Sequence, residues 1–130
     1  MSYNLVFETK IKKLDKTSIL VIDRISRSLK VHGVINKLSE DNHAITMKVS
    51  KDTKEEVKST LYNFYGALIH EGRKLDGDIK CARSFASKIH NRELYNTCRV
   101  LSKFAQAIKD VIDNGDWEES TPYRFIVYVD

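Results

Sequence analysis

Four histidines and two cysteines are the side chains of this chain that could bind a metal ion or transfer protons. The candidates for a metal centre are His70, Cys81, His90 and Cys98, separated by spacers of ten, eight and seven residues. Zinc sites normally contain a close pair of ligands, such as two cysteines separated by two residues. No such pair occurs, so we predict no metal site and no cofactor. We expect both cysteines at the margins of apolar helix faces.

General acid–base catalysis would need two of the histidines to act together. If His32 and His43 flank a hairpin, one can act as base and the other as acid, with Arg27 or Lys30 nearby to stabilise the charge of a phosphorane. These are the groups that a small metal-free ribonuclease needs. The chain has no G-x-S-x-G, H-E-x-x-H, P-loop or G-x-G-x-x-G motif. We therefore expect a protein that is not an enzyme, with His32 and His43 as the catalytic candidates that remain.

Basic residues are spaced so that they could contact a phosphate backbone. On a helix with about 3.6 residues per turn, Arg92, Arg99 and Lys103 fall on one narrow line, away from the apolar residues. The other candidate contacts are Lys12, Lys13, Arg24, Arg27, Lys80 and Arg83. A regular line of cations suits a polyanion. The alternative is that these residues only keep exposed helix faces in water.

An acidic segment that contains the only tryptophan follows the basic helices. Residues 114–122, NGDWEESTP, are predicted to form a loop before the last strand. An exposed Trp117 surrounded by acids could fill a pocket on a protein partner; alternatively, it folds back over the end of the preceding helix. The net charge is +4 for residues 1–65, +5 for residues 66–109 and −5 for residues 110–130. A basic body with an acidic end could dock on nucleoprotein machinery.

Composition bounds the class of protein. The chain has 130 residues, with 42% hydrophobic and 31% charged residues, as expected for one globular domain spanning 1–130 rather than a disordered segment. No apolar run approaches the ~20 residues that span a bilayer, and residues 1–10 do not resemble a secretory signal. Two cysteines without an export signal favour a cytoplasmic location. Lysine outnumbers arginine 15 to 7, a bias of AT-rich genomes and of many phages.

Hydrophobic periodicity predicts an α+β fold. Alternation indicates strands at 3–11, 44–50 and 123–130, and the last strand is expected to be central because both of its faces are apolar. Residues 34–38 could be a further strand or could extend the first helix. Helical spacing follows Thr17 or Ser18, either of which can cap a helix, and recurs over 53–72 and 79–113. Gly33 and Gly72 are expected to end helices, and residues 74–78 to form a turn.

The resulting order is β-α-β-β-α-(α-α)-β. Without the additional helices this is the ferredoxin-like order, so we expect a mainly antiparallel sheet of three to four strands packed against helices.

The segment 79–113 is expected to break into two helices. Its two apolar stripes would be offset by roughly 80° on one straight helix, which indicates a break near residue 90 with Asn91 as the second N-cap. In a tight antiparallel hairpin centred there, Cys81 would lie opposite Cys98 or its neighbours. In one continuous helix the two cysteines would be about 25 Å apart.

Taken together, the sequence favours a small, non-enzymatic, cytoplasmic binding or regulatory protein. Its expected partner is a component of nucleic-acid machinery, such as a polymerase, a nuclease or a ribonucleoprotein, and the composition is compatible with a phage-encoded protein. Direct binding of RNA or DNA by the basic helix faces is the first alternative, and a metal-free ribonuclease is the second.

Overall fold

Seven helices and strands make up the described part of the chain. The computed structural model describes the backbone of residues 3–82, 88–114 and 123–129, and the side chains of residues 3–77 and 92–114. In chain order the elements are β1 (Tyr3–Lys12), α1 (Lys16–Ser28), β2 (His32–Lys37), β3 (Asn42–Lys51), α2 (Lys54–Ala82), α3 (Lys88–Asn114) and β4 (Tyr123–Val129). The predicted α+β class is confirmed. No helix in these ranges is long and apolar enough to cross a membrane.

β1, β3 and β2 form an antiparallel sheet. β1 pairs with β3, and β3 pairs with β2 in a hairpin, so residues 34–37 are extended and do not continue the helix. Side chains alternate between the two faces of a strand, and one face of β1 is accordingly buried. Its buried residues are Tyr3, Leu5, Phe7, Thr9 and Ile11.

β4 pairs with β1 in the parallel direction, and the sheet order is β2-β3-β1-β4. In the ferredoxin-like order a single helix leads from the third strand to the fourth, which makes the fourth strand antiparallel to the first. Here two helices, α2 and α3, lie between β3 and β4. The second helix returns the chain to the end of the sheet at which β3 finishes, so β4 runs parallel to β1. The prediction of a central last strand is wrong, because β4 lies at an edge of the described sheet.

The described helices cover one face of this sheet. α1 contacts β2, α2 contacts β3 and β1, and α3 contacts β1 and β4. The core between the layers is apolar, and Phe64 of α2 meets Phe104 of α3 edge to face, with ring centroids 5.9 Å apart. On the other face of the sheet, Lys48 and Ser50 are exposed.

α1 ends in a Schellman motif built on a lysine. The N–H of Val31 donates to the carbonyl of Ser26 at 2.9 Å, and the N–H of Lys30 donates to that of Arg27 at 3.2 Å. These two bonds define the motif, and they require a left-handed residue at the position of Lys30, whose φ is 57°. Glycine is the usual residue there, so its absence concealed the helix end in the sequence.

Neither glycine expected to end a helix does so. Gly33 lies in β2, where a Cβ atom would come within 3.0 Å of Met47 Sδ, so glycine is needed for close packing. Gly72 lies inside α2, which continues through the predicted turn at 74–78. Leu75 packs against the core there, and this packing favours the helix over the turn preference of Gly and Asp.

Residues 79–113 are divided between two helices, as predicted, but the described elements after β3 include two helices rather than the expected three, because α2 runs from Lys54 to Ala82 without a turn at 74–78. α3 begins at Lys88, so Asn91 is inside the helix and is not its N-cap. Cys98 Sγ lies 3.8 Å from the carbonyl oxygen of Gly72. Cys81 is nine residues further along α2, about 14 Å at 1.5 Å per residue, which is too far for a disulfide. The predicted opposition of Cys81 and Cys98 is therefore wrong.

Candidate functional site

The turn between β1 and α1 is held by hydrogen bonds from two distant parts of the chain. Lys13 has a φ of 58°, in the left-handed region that is unfavourable for lysine. Its N–H donates to the carbonyl of Asp41 at 2.8 Å, and its own carbonyl accepts from Asn96 Nδ2 at 2.9 Å. Arg99 Nη2 donates to the carbonyl of Lys12 at 2.8 Å. The β2–β3 loop and α3 thus fix this turn from two sides.

Asp15 begins α1 and also joins it to α3. As the N-cap residue, it accepts hydrogen bonds from the backbone N–H of Ser18, at 3.4 Å, and from the Ser18 hydroxyl. The hydroxyl of Thr97, which is only 2% exposed, also donates to Asp15. The prediction of Thr17 or Ser18 as the cap is wrong, because the carboxylate of Asp15 can accept all of these bonds.

Basic side chains from distant parts of the sequence line a recess beside this turn. It has a volume of about 610 Å³ and is lined by Lys13, Asp15, Lys16, Thr17, Arg92, Glu93 and Asn96. Lys13, Lys16 and Arg92 are exposed, and none of them forms an ion pair with another described residue. We name Lys12, Lys13, Lys16, Arg92 and Arg99 together the basic corner. With Asp15 and Glu93 included, the formal net charge of this region is +3.

Four of the predicted contact residues belong to the basic corner: Lys12, Lys13, Arg92 and Arg99. The structure adds Lys16 to them. Lys103 is exposed one turn beyond Arg99 on α3.

The two predicted arginines of α1 lie elsewhere and have acidic partners. Arg24 Nη2 is 2.7 Å from Glu71 Oε1 of α2, and Arg27 Nε is 3.1 Å from Asp23 Oδ2 on the same helix. Such exposed pairs contribute little stability, but each acid offsets the charge that its arginine could offer a polyanion. The side chains of Lys80, Arg83 and Trp117 lie outside the described residues, and so do residues 115–122 of the predicted acidic loop.

The two histidines considered for catalysis are far apart. His32 pairs with Lys48 at the start of β2, whereas His43 pairs with Lys37 at its end. His32 and Lys37 are five positions apart, which corresponds to about 17 Å at ~3.4 Å per residue, and the two histidines fall on opposite faces of the sheet. They cannot act as the acid and base of one reaction centre. Among the described residues no group of three or more His, Cys, Asp and Glu could hold a metal ion.

Cys98 lies in a second recess, between α2 and α3. Leu68, Gly72 and Asp76 contribute to its lining. Burial raises the pKa of the Cys98 thiol, and the negative charge of Asp76 raises this pKa further. A raised pKa keeps the sulfur protonated at neutral pH, which is the opposite of what a nucleophilic cysteine needs.

Sequence reasoning missed the residues that shape the site. Asp15 could have been found, since an acidic residue three positions before Ser18 is a common N-cap signal. No local sequence pattern indicated the roles of Asn96 and Thr97, because their hydrogen-bond partners are more than 80 residues away in the chain.

Comparisons with other proteins add no family to this description. The chain matches no protein-family model, no curated protein and no solved structure.

Proposed function

We propose that this chain is a small, non-enzymatic binding protein that docks on a component of nucleic-acid machinery through the basic corner. The observation that carries the proposal is the convergence of Lys13 and Lys16 with Arg92, from segments more than 70 residues apart, on one recess. Acidic faces of nucleic-acid enzymes, and the phosphates that these enzymes hold, are attracted to such a surface.

The fixed backbone supports a role in recognition. The left-handed Lys13 is held by Asp41 and Asn96, so the cations next to it project from a turn whose conformation is already set. A preorganised surface loses less entropy on binding than a mobile one. Because Arg24 and Arg27 are paired with acids, the basic corner is the stronger attraction for an anionic partner.

A second candidate function is direct binding of RNA or DNA. The polar sheet face opposite the helices favours it, because Lys48 is exposed there beside His32 on the neighbouring strand. Binding of this kind would weaken steeply as salt is added, since phosphate contacts release counterions.

The test of the proposed function is a tagged pull-down from the source cells after nuclease treatment, with captured proteins identified by mass spectrometry. We expect a subunit of a polymerase, nuclease or ribonucleoprotein to be retained, and Lys16→Glu with Arg92→Glu to abolish its capture. The matched control is Lys74→Glu with Lys109→Glu, which reverses two exposed lysines on α2 and α3. Equal capture by both double variants would refute the role of the basic corner.

The same variants separate the two candidates. If purified protein binds single- or double-stranded nucleic acid in a salt-dependent way, and either Lys48→Glu or the Lys16 and Arg92 double variant abolishes this binding, direct binding replaces docking. If the unmodified protein has no affinity for nucleic acid, and the Lys16 and Arg92 double variant no longer captures the protein partner, docking is supported.

A further inference from the structure

We propose that two copies of this chain associate through β2, in antiparallel register, to form one continuous sheet with a two-fold axis at Val34. This inference concerns a different surface from the basic corner and does not depend on the proposed function. β2 is an edge of the described sheet, and it pairs with β3 on one side only. Besides β3, the described element that contacts β2 is α1, which lies over its helix face at Gly33, so among the described residues one row of its backbone N–H and C=O groups has no strand partner.

Edge strands normally carry features that prevent pairing with another chain, such as proline, a bulge or inward-pointing charges. β2, with the sequence HGVINK, contains no proline and only one lysine, at its last position. It is regularly paired with β3 over all six residues, so it has no bulge that would twist the edge away. An unprotected edge of this kind favours strand addition.

Exposed apolar side chains gather on this side of the molecule. Five large hydrophobic residues are exposed in the described part of the chain, and three of them lie on α1, β2 or the turn after β2. They are Leu20, which is 69% exposed, Val34, which is 43% exposed, and Leu38, which is 53% exposed. Val34 lies on the face without helices and Leu20 on the helix that covers the other face, so exposed apolar side chains flank the open edge on both faces, as is typical of an interaction surface.

A groove runs along the same edge, between α1 and β2. Gly33, Ile35 and Met47 contribute to it from the sheet, and Asp23 and Arg27 from the helix. Asp23 and Arg27 also line a neighbouring recess on the outer side of α1, together with Leu20. The edge of β2 and the outer side of α1 are therefore parts of one surface.

The sequence of β2 is complementary to itself in one register. Residues directly opposite each other in an antiparallel pair must share a face of the sheet. A two-fold axis at Val34 pairs this residue with its own copy on the face without helices. On the helix face it places Ile35 opposite Gly33 of the second copy, where the isoleucine can cover the exposed backbone of the glycine next to Met47, as in the rescue of edge glycines by a larger cross-strand residue. Moving the axis to Ile35 would instead set Lys37 opposite Gly33 and Asn36 opposite Val34.

Charge complementarity also favours a second copy as the occupant. Ser26 Oγ lies 3.8 Å from the Cβ position of Gly33, so the C-terminal half of α1 is level with the proposed axis. The axis makes the two α1 helices antiparallel on the same face of the joined sheet. Each copy then presents its Asp23–Arg27 ion pair close to the axis, and the two pairs can join across it, with the carboxylate of one copy meeting the guanidinium of the other.

Sedimentation equilibrium over a range of concentrations tests the proposal. We expect a reversible monomer–dimer equilibrium for the unmodified chain, and Val34→Glu to weaken it by on the order of tenfold or more, because two like charges then meet at the axis. The control is Tyr62→Glu, which charges a residue that is 52% exposed on α2, a helix whose described residues make no contact with β2. Circular dichroism establishes that both variants remain folded. A chain that stays monomeric at millimolar concentration, or a dimer that Val34→Glu leaves unchanged, overturns the proposal.

A crosslink tests the register independently. Opposite residues at a two-fold axis have Cβ atoms roughly 4.5–5.5 Å apart, within reach of a disulfide once the strands adjust. In a background with Cys81 and Cys98 replaced by serine, Val34→Cys should form a covalent dimer on mild oxidation, and Tyr62→Cys should not. Equal crosslinking of both variants, or of neither, contradicts an axis at Val34.

Discussion

The carboxylate of Asp15 accepts a hydrogen bond from the hydroxyl of Thr97, 82 residues later in the chain. The same carboxylate caps α1 through Ser18. One side chain thus begins the first helix and attaches it to the third. The bond is partly buried, and hydrogen bonds to a charged acceptor are worth more than those between neutral groups.

Removing either partner should therefore destabilise the fold. We expect Thr97→Val to lower the free energy of unfolding by about 1–3 kcal/mol. Asp15→Ala should cost at least as much, because it also removes the N-cap, worth about 1 kcal/mol. Urea denaturation followed by circular dichroism measures both. In a double-mutant cycle the two losses should be less than additive, and full additivity would show that the two residues do not interact.

Arg99 and Lys103, which were predicted to lie on one basic line of α3, have different roles. Arg99 is half-buried and holds the carbonyl of Lys12, whereas Lys103 is exposed. We expect Arg99→Ala to lower the free energy of unfolding by about 1–2 kcal/mol, since a charge-assisted bond to the β1–α1 turn is lost. Lys103→Ala should stay within about 0.5 kcal/mol of the unmodified protein. Thermal unfolding of the two variants, measured in parallel, distinguishes these outcomes.

This difference limits what charge reversal at Arg99 can show. A binding defect in Arg99→Glu would combine loss of charge with movement of the turn that carries Lys12 and Lys13. Lys16 and Arg92 are exposed and make no ion pair with another described residue, so their reversal changes the charge of the basic corner with less effect on its shape.

Lys30 offers a test of the helix end. Its left-handed φ of 57° is strained for lysine, and glycine has no such strain. Lys30→Gly should therefore raise the free energy of unfolding by about 0.5–1 kcal/mol, which is the strain relieved less the added freedom of glycine in the unfolded chain. Lys30→Ala is the control, because alanine keeps the strain and should give no gain. If both substitutions have the same effect on the denaturation midpoint, the left-handed conformation is not the cause.

Local signals were enough to predict most strands and helices, but not their ends or their partners. The alternation in residues 44–50 and the helical spacing in 53–72 reflect burial on one face, which any arrangement of the elements preserves. Gly33 and Gly72 were wrongly predicted to end helices, because glycine occurs in strands and helices as well as at helix ends. Here Gly33 provides space for Met47, and Gly72 lies within a long helix. The end of α1 is set instead by the left-handed Lys30, and α2 continues past Gly72 because Leu75 packs against the core.

The direction of β4 and the composition of the basic corner could not be derived from sequence alone. The direction depends on whether two or three helices lie between β3 and β4, and the offset of the apolar stripes did not determine that number. The basic corner depends on Asn96 and Arg99 reaching Lys12 and Lys13, which are more than 80 residues away. Periodicity shows which face of a helix is polar, but it does not show what lies against that face.

The Cys98 thiol should react slowly and in a pH-dependent way. Because burial and Asp76 raise its pKa, the thiolate fraction at any given pH is lower than for a free cysteine. In a Cys81→Ser background, alkylation by iodoacetamide should therefore accelerate only above the pH range of an unstructured thiol. Asp76→Asn should shift this profile to lower pH, since it removes one of the two causes. A profile that coincides with that of a free thiol would contradict the buried position of Cys98.

The same shift has a consequence for stability. A thiol whose pKa is higher in the folded state than in the unfolded state contributes stability at pH values below the unfolded pKa. This contribution is lost as the pH rises through the folded pKa, because the unfolded chain releases its proton first. Cys98→Ser should therefore reduce the loss of stability as the pH rises above the pKa of the unfolded thiol, measured by urea denaturation at a series of pH values.

Thr9 is a polar residue in the core whose replacement should be favourable. It is fully buried on the helix face of β1, and its hydroxyl has no hydrogen-bond partner among the described residues. An unsatisfied buried hydroxyl costs about 1–3 kcal/mol, and valine has nearly the same shape. We expect Thr9→Val to raise the free energy of unfolding by about 1 kcal/mol, measured by urea denaturation with an unchanged m-value. Thr9→Ala is the control, because it removes the same hydroxyl but leaves a cavity, and it should destabilise the protein. A loss of stability in Thr9→Val would show that the hydroxyl is satisfied, for instance by a buried water molecule.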